Sequence, residues 1–207
     1  MMDILANLTE SQLDALKEIS HIGMGHAATA LSQLLDHPLA LTVPQVSILP
    51  LADIPRHIGG EEELMAGLYL KIRGDAKGNI LILLPRQSVL SIIHMLTGKK
   101  AASTMILTEE ERSVLKELAN ILASSYLTAL SNLLGVLLIP SIPGLAFDMA
   151  GAVVDYLLIE LGEVGGVVMI IETRFENRES KISGRLFLLP DPESMPVLLR
   201  LLPIHPK

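Results

Sequence analysis

One stretch of 28 residues occurs twice. Residues 8–35 (LTESQLDALKEISHIGMGHAATALSQLL) align without a gap on residues 107–134 (LTEEERSVLKELANILASSYLTALSNLL), with 13 of the 28 positions identical. A match of that length marks an internal duplication, and its offset of 99 residues is far longer than the period of a stacked solenoid. The 207 residues are therefore expected to form one domain, 1–207, made of two half-repeats at about 8–100 and 107–205.

Both copies read as long helices. Thr9 and Thr108 are N-cap residues, and acidic residues follow in the first turn, where the helix dipole favours them. Leu16, Ile19, Ile22 and Leu31 are expected to form the apolar face of copy one. Leu115, Leu118, Ile121, Leu122, Leu130 and Leu133 are expected to do so in copy two. A β-prone segment with a proline follows each helix, LALTVPQVSILP and then VLLIPSIPGLAF. Further strands are expected at LMAGLYLKIRG, GNILILLP, GAVVDYLLIEL, GGVVMIIET and GRLFLLP, with short helices at SVLSIIHMLTG and PESMPVLLRLL. Gly59–Gly60 with its glutamates, and RFENRES, read as loops. The predicted fold class is α/β with an internal pseudo-twofold repeat. A central, largely antiparallel sheet carries the two long helices on one side.

Composition narrows the function. Hydrophobic residues make up 50% and aromatics 3%, so the core is aliphatic, and a mean hydropathy of +0.48 points either to apolar surface covered by a partner or an oligomer interface or to a Leu-rich core alone. The net charge is −7 with no basic run, which argues against nucleic acid as a partner. There is no cysteine, hence no thiol nucleophile or thiolate metal site, and a cytoplasmic location is expected. The longest apolar stretch is broken by Pro140 and Pro143, so no membrane insertion is expected.

On a helix, positions i, i+4 and i+7 share a face. Ser113, Glu117 and Asn120 therefore lie in one polar stripe that runs on through Ser124, Thr128 and Ser131. Copy one has Asp14, Glu18 and His21, continuing to Gly25, Thr29 and Ser32. Taken alone, such a stripe reads as the solvated face of an amphipathic helix. Its chemistry allows more. A carboxamide donates and accepts hydrogen bonds without changing charge, so it orients a water but is a poor base. That suits water attack on an activated phosphoryl group, where positioning is most of the catalysis. A carboxylate beside it can hold a cation of a partner macromolecule.

The stripe resembles the motif of the CheC/CheX/FliY family of chemotaxis phosphatases, [DS]-x3-E-x2-N-x22-P. Ser113, Glu117, Asn120 and Pro143 match it at every spacing. Asp14, Glu18 and Pro44 match it too, with His21 in place of asparagine. The doubled motif and the chain length are similar to CheC rather than to single-site CheX. The resemblance implies a phosphorylated CheY-like response regulator as substrate. Asn120 then holds the attacking water, and Glu117 grips the regulator's active-site lysine. Ser113 and Pro143 frame the site, and Asp14 and Pro44 do so in copy one. Mg2+ comes with the regulator, and the chain needs no metal or cofactor of its own. Because imidazole has a different reach and a charge that varies near neutral pH, the Glu18–His21 site is expected to be weak, dead or altered. The resemblance also implies CheD as a second partner, docking on GLAFDMAGAVVD with Phe147 and Asp148.

Other readings attach to the same residues. Glu18 and His21 have the i, i+3 spacing of di-iron bundles, but the second copy offers Asn120 where a second histidine is needed. His26, His37, His57, His94 and His205 form no i, i+4 pair and read as structural or exposed. Gly23 and Gly25 fall within a helix, away from any strand-turn-helix phosphate loop, and point to close packing or a kink. The rival function is a non-catalytic adaptor of the flagellar switch or of CheD. A further alternative is a phosphatase for a regulator outside chemotaxis.

Overall fold

Thr9 and Thr108 cap the two duplicated helices in the same way. Each hydroxyl accepts a hydrogen bond from the amide three residues on, at 3.2 Å in both cases. Gln12 and Glu111 reach back to the threonine amides at 2.9 and 2.8 Å. Each such capping box contributes about 1 kcal/mol. The helices that follow are α1 (Glu10–Leu35) and α4 (Glu109–Leu134). Both end on a left-handed residue, Asp36 or Gly135, whose amide donates to the Ser32 or Ser131 carbonyl.

The computed structural model describes residues 8–50, 53–58, 63–99, 106–161 and 167–203. After α1 come β1 (Ala40–Leu41), β2 (Gln45–Pro50), α2 (Ile54–Ile58), β3 (Leu64–Gly74), β4 (Gly78–Pro85) and α3 (Arg86–Thr97). After α4 come β5 (Leu138–Pro140), β6 (Gly144–Met149), α5 (Ala150–Leu161), β7 (Val167–Asn177), β8 (Ile182–Pro190) and α6 (Met195–Leu201). The two halves thus have the same order of elements. The expected Gly59–Gly60 loop and His205 lie outside the described residues. In RFENRES the strand persists to Asn177, and the turn is Arg178–Lys181.

The eight strands of the described residues form one sheet, and every pairing among them is antiparallel. Its order is β1/β2–β7–β8–β4–β3–β5/β6. The halves exchange their edge strands: β1 and β2 pair with β7, while β5 and β6 pair with β3. The register repeats as well. Gln45↔Glu172 and Gly144↔Tyr69 are one pairing met twice, shifted by 99 residues on one strand and 103 on the other. At the centre β4 meets β8, with Leu81 opposite Phe187.

Both faces of the central strands are buried. Leu68, Leu70, Ile80, Ile82, Ile171 and Leu188 point into a core shared with α1, α3, α4 and α6. The alternate residues Met65, Tyr69, Leu81, Leu83, Ile170 and Phe187 point into a second core, which includes Ile54 of α2 and Ala150, Val153 and Val154 of α5. Double burial explains why these strands read as almost unbroken apolar runs.

The second core also corrects one expectation. GAVVDYLLIEL is not a strand but lies in helix α5. Periodicity cannot assign so apolar a run. Ala150, Val153 and Val154 have helical spacing, and Gly67 of β3 lets them approach, since a β-carbon there would fall 2.3 Å from the Val153 methyl. A second correction concerns the long helices. Ile22 and Leu133 are exposed and Ile121 is half-buried. Ile22 and Leu133 rim an open groove between α1 and α4.

The helices touch closely along one line. A β-carbon on Gly23 would come within 2.9 Å of the Tyr126 ring and 3.3 Å of Leu130. Gly23 thus serves close packing, as its position in the helix predicts, whereas Gly25 faces open space. Tyr126 is fully buried, and burial pushes its phenol up to about 12, so it stays neutral.

Candidate active site

The stripe residues of copy two project from the first half of α4. Ser113 to Asn120 spans roughly 10 Å of helix at 1.5 Å per residue. Ser113 and Glu117 are exposed and Asn120 is half-buried. The chain returns to this helix as the Pro140–Pro143 loop, and Pro143 is buried.

That return is pinned. The Ser141 amide donates to the Lys71 carbonyl at 2.8 Å, and the Ser141 hydroxyl accepts from the Lys71 amide at 2.9 Å. Upstream, the Leu138 amide donates to the Ser131 hydroxyl of α4 at 3.1 Å. The loop is thereby tied to both β3 and the motif helix. Together they enclose an open cleft of about 370 Å³, with Ser113, Lys116, Glu117 and Asn120 on one wall and Pro140, Ser141, Ile142 and Pro143 on the other. All four residues of the second motif therefore meet in one place.

The cleft has the electrostatics of a docking surface. Among the described residues Glu117 makes no ion pair, and neither does Lys116. An unpaired exposed carboxylate can take a cation from outside. An amide beside it, half-shielded, can hold a water. Among the described residues no three His, Asp or Glu side chains stand together as a metal site.

Copy one is built on the same plan. Asp14, Glu18 and His21 are exposed and Pro44 is buried. Thr42 clamps to Arg174 as Ser141 clamps to Lys71: the Thr42 amide donates at 3.0 Å, and its hydroxyl accepts at 3.1 Å. The Leu39 amide donates to the Ser32 hydroxyl at 3.2 Å. Here Lys17 is engaged, 3.4 Å from Asp14, whereas Ser113 gives Lys116 no such carboxylate.

Phe147 and Asp148 sit in β6, opposite Ala66 and Met65 of β3. Phe147 is half-buried against the main core, while Asp148 is exposed and accepts from the Met149 amide at 2.8 Å. Neither lines the cleft. Sequence reasoning missed Ser141, Thr42, Ile142 and Lys116. A signal for the first three was present, because a hydroxyl, a β-branched residue and proline recur as TVP and SIP at the 99-residue offset.

The antiparallel sheet roofed by two motif helices is a fold shared with solved structures. FliY of Thermotoga maritima shares the fold with a TM-score of 0.70, at 22% identity over 95% of this chain and 98% of that one. The FliM middle domain of H. pylori does so with a TM-score of 0.67 at 9% identity, over 94% and 99% of the two chains. The sequence is more specific. The chain is 34% identical over 197 residues to the CheY-P phosphatase CheC of Bacillus subtilis (strain 168), covering 93% of this chain and 94% of that protein. The model of the CheC-like family matches residues 12–48 and 110–145, the two motif segments. The chain belongs to the CheC-like family.

No helix among the described residues is long and apolar enough to cross a membrane.

Proposed function

We propose that this protein hydrolyses the aspartyl phosphate of a CheY-like response regulator, with the second motif as its working site. The observation that carries this reading is the cleft in which Ser113, Glu117, Asn120 and Pro143 converge. The regulator brings the phosphoryl group and its Mg2+. Glu117 pairs with the lysine of the regulator's active site. Asn120 enters beside the phosphoryl group and holds a water in line with phosphorus by donating from its amide nitrogen or accepting at its carbonyl oxygen. The water oxygen bonds to phosphorus as the bond to the aspartyl oxygen breaks. The products are the free aspartate carboxylate and inorganic phosphate, which takes up the water's proton. Asn120 contributes position rather than basicity. The name of the Bacillus subtilis relative, a CheY-P phosphatase, supports the reading.

The test is the decay of phosphate from a phosphorylated CheY-like regulator of the same organism. Wild type shortens the lifetime, Asn120→Ala removes at least about 100-fold of that acceleration, and His21→Ala changes it less than about twofold. A wild-type protein that leaves the lifetime unchanged overturns the phosphatase reading in favour of the adaptor. Equal losses from the two variants overturn the asymmetry between the sites. Retention of CheD on the wild type and its loss with Phe147→Ala tests the second expected partner.

A further inference from the structure

The cleft wall opposite Asn120 ends in Ile142, which is 90% exposed. Among the described residues nothing packs over this large aliphatic side chain, which stands in water at the mouth of a polar site. It does not project from a loose loop. Ser141 before it is bonded to Lys71 on both its amide and its hydroxyl, and Pro143 after it is buried with φ fixed by its ring. Isoleucine itself is stiff at χ1. The side chain is thus presented in a set direction, and little entropy remains to be lost when a partner covers it.

We propose that Ile142 is the docking anchor of the catalytic cleft, seating against an apolar patch on the rim of the regulator's phosphoryl pocket. This rests on the phosphatase reading for the identity of the partner. The occupant follows from depth. Asn120 is half-buried within the cleft, whereas Ile142 stands at its edge. A macromolecular surface that delivers a phosphoryl group to Asn120 must cover Ile142 on the way in. A regulator with a charged side chain at that rim would leave the charge against the Ile142 methyls, so the contact selects among regulators as well as holding one. In copy one the equivalent residue is Val43, also before the motif proline and 71% exposed, so the anchor there is one methylene shorter.

The test separates docking from chemistry. Ile142→Asp and Ile142→Ala are assayed for kcat and KM on the phosphorylated regulator, and for binding to the same regulator loaded with beryllofluoride. Ile159→Asp, an exposed isoleucine on α5, is the control. Ile142→Asp is expected to raise KM and weaken binding about tenfold with kcat within twofold, Ile142→Ala to do less, and the control to do nothing. Unchanged KM and binding in Ile142→Asp overturn the proposal, as does a loss confined to kcat. If wild type binds the loaded regulator but does not hydrolyse the phosphate, the phosphatase reading fails alone. Weaker binding by Ile142→Asp then still supports the anchor, and equal binding overturns it. If wild type does neither, both fall.

Discussion

Copy one and copy two share a scaffold and differ in what they present on it. Both helices begin in a capping box, end on a left-handed residue, receive the amide of Leu39 or Leu138 on Ser32 or Ser131, and clamp their proline loops through Thr42 or Ser141. The differences lie at the points a partner would touch. His21 is exposed where Asn120 is half-buried, Lys17 is held by Asp14 where Lys116 is unengaged, and Val43 stands where Ile142 does. The caps, helix ends and loop clamps are alike in the two copies, and the side chains at these points are not.

The comparison can be broken at its most consequential position. Asn120→His writes the first motif into the second site and is expected to lower turnover on the phosphorylated regulator by about 100-fold. His21→Asn in an Asn120→Ala background restores a motif to the first site and is expected to recover activity, at most to a tenth of wild type. Recovery to the full wild-type rate would show that His21 alone separates the copies, and that neither Lys17 nor Val43 matters.

A second contrast lies within the other core. Glu172 is buried and accepts from the Nε atoms of Arg174 and Arg185, both at 2.8 Å, with His57 Nε2 3.4 Å away. At the equivalent place in the first half, the Tyr69 hydroxyl donates to Asn79 at 2.5 Å. Burial pushes the Glu172 carboxyl up, but the hydrogen bonds and charges of Arg185 and Arg174 outweigh it, and the net shift is downward. A depressed folded value means that the pair stabilises above the unfolded carboxyl value of about 4.3 and that this stability is lost as pH falls through the folded one. Glu172→Gln is expected to cost about 2–3 kcal/mol at pH 7 and to flatten the acid limb of stability, measured by urea unfolding from pH 7 to 3. Tyr69→Phe leaves that limb in place.

Smaller effects test the helix pair. Gly23 on α1 faces the Tyr126 ring, while its own counterpart on α4 is Leu122. Gly23→Ala must displace the buried Tyr126 ring and is expected to lose about 1–2 kcal/mol, while Gly25→Ala, with open space around it, gains up to about 1 kcal/mol. Thermal melts of the two variants should move in opposite directions. Thr9→Ala and Thr108→Ala should each cost about 1 kcal/mol.

The long helices and the motif residues were legible in the sequence because caps and i, i+4, i+7 spacing are local signals. Helix α5 was not, since Val153 and Val154 fit a strand as well as a helix until the face of the sheet they cover is known. The exchange of edge strands was hidden for a different reason. A duplication states that Gln45 and Gly144 have equivalent partners, but not that Gln45 finds Glu172 rather than Tyr69. The cleft lay between these cases. Asn120 was placed on the polar stripe by helix spacing and Pro143 by the resemblance to the family motif, while the opposing wall depends on Ser141 reaching Lys71, a contact 70 residues apart.

That exchange has a consequence for synthesis. A nascent chain released as far as Thr97 holds β1 and β2 without their native acceptor, β7, which is completed only at Asn177. In the native pairing each half supplies the other's edge strands, so the sheet is completed late, by long-range pairings. Two separately expressed halves should then behave as obligate complements, each unfolded alone and structured when mixed.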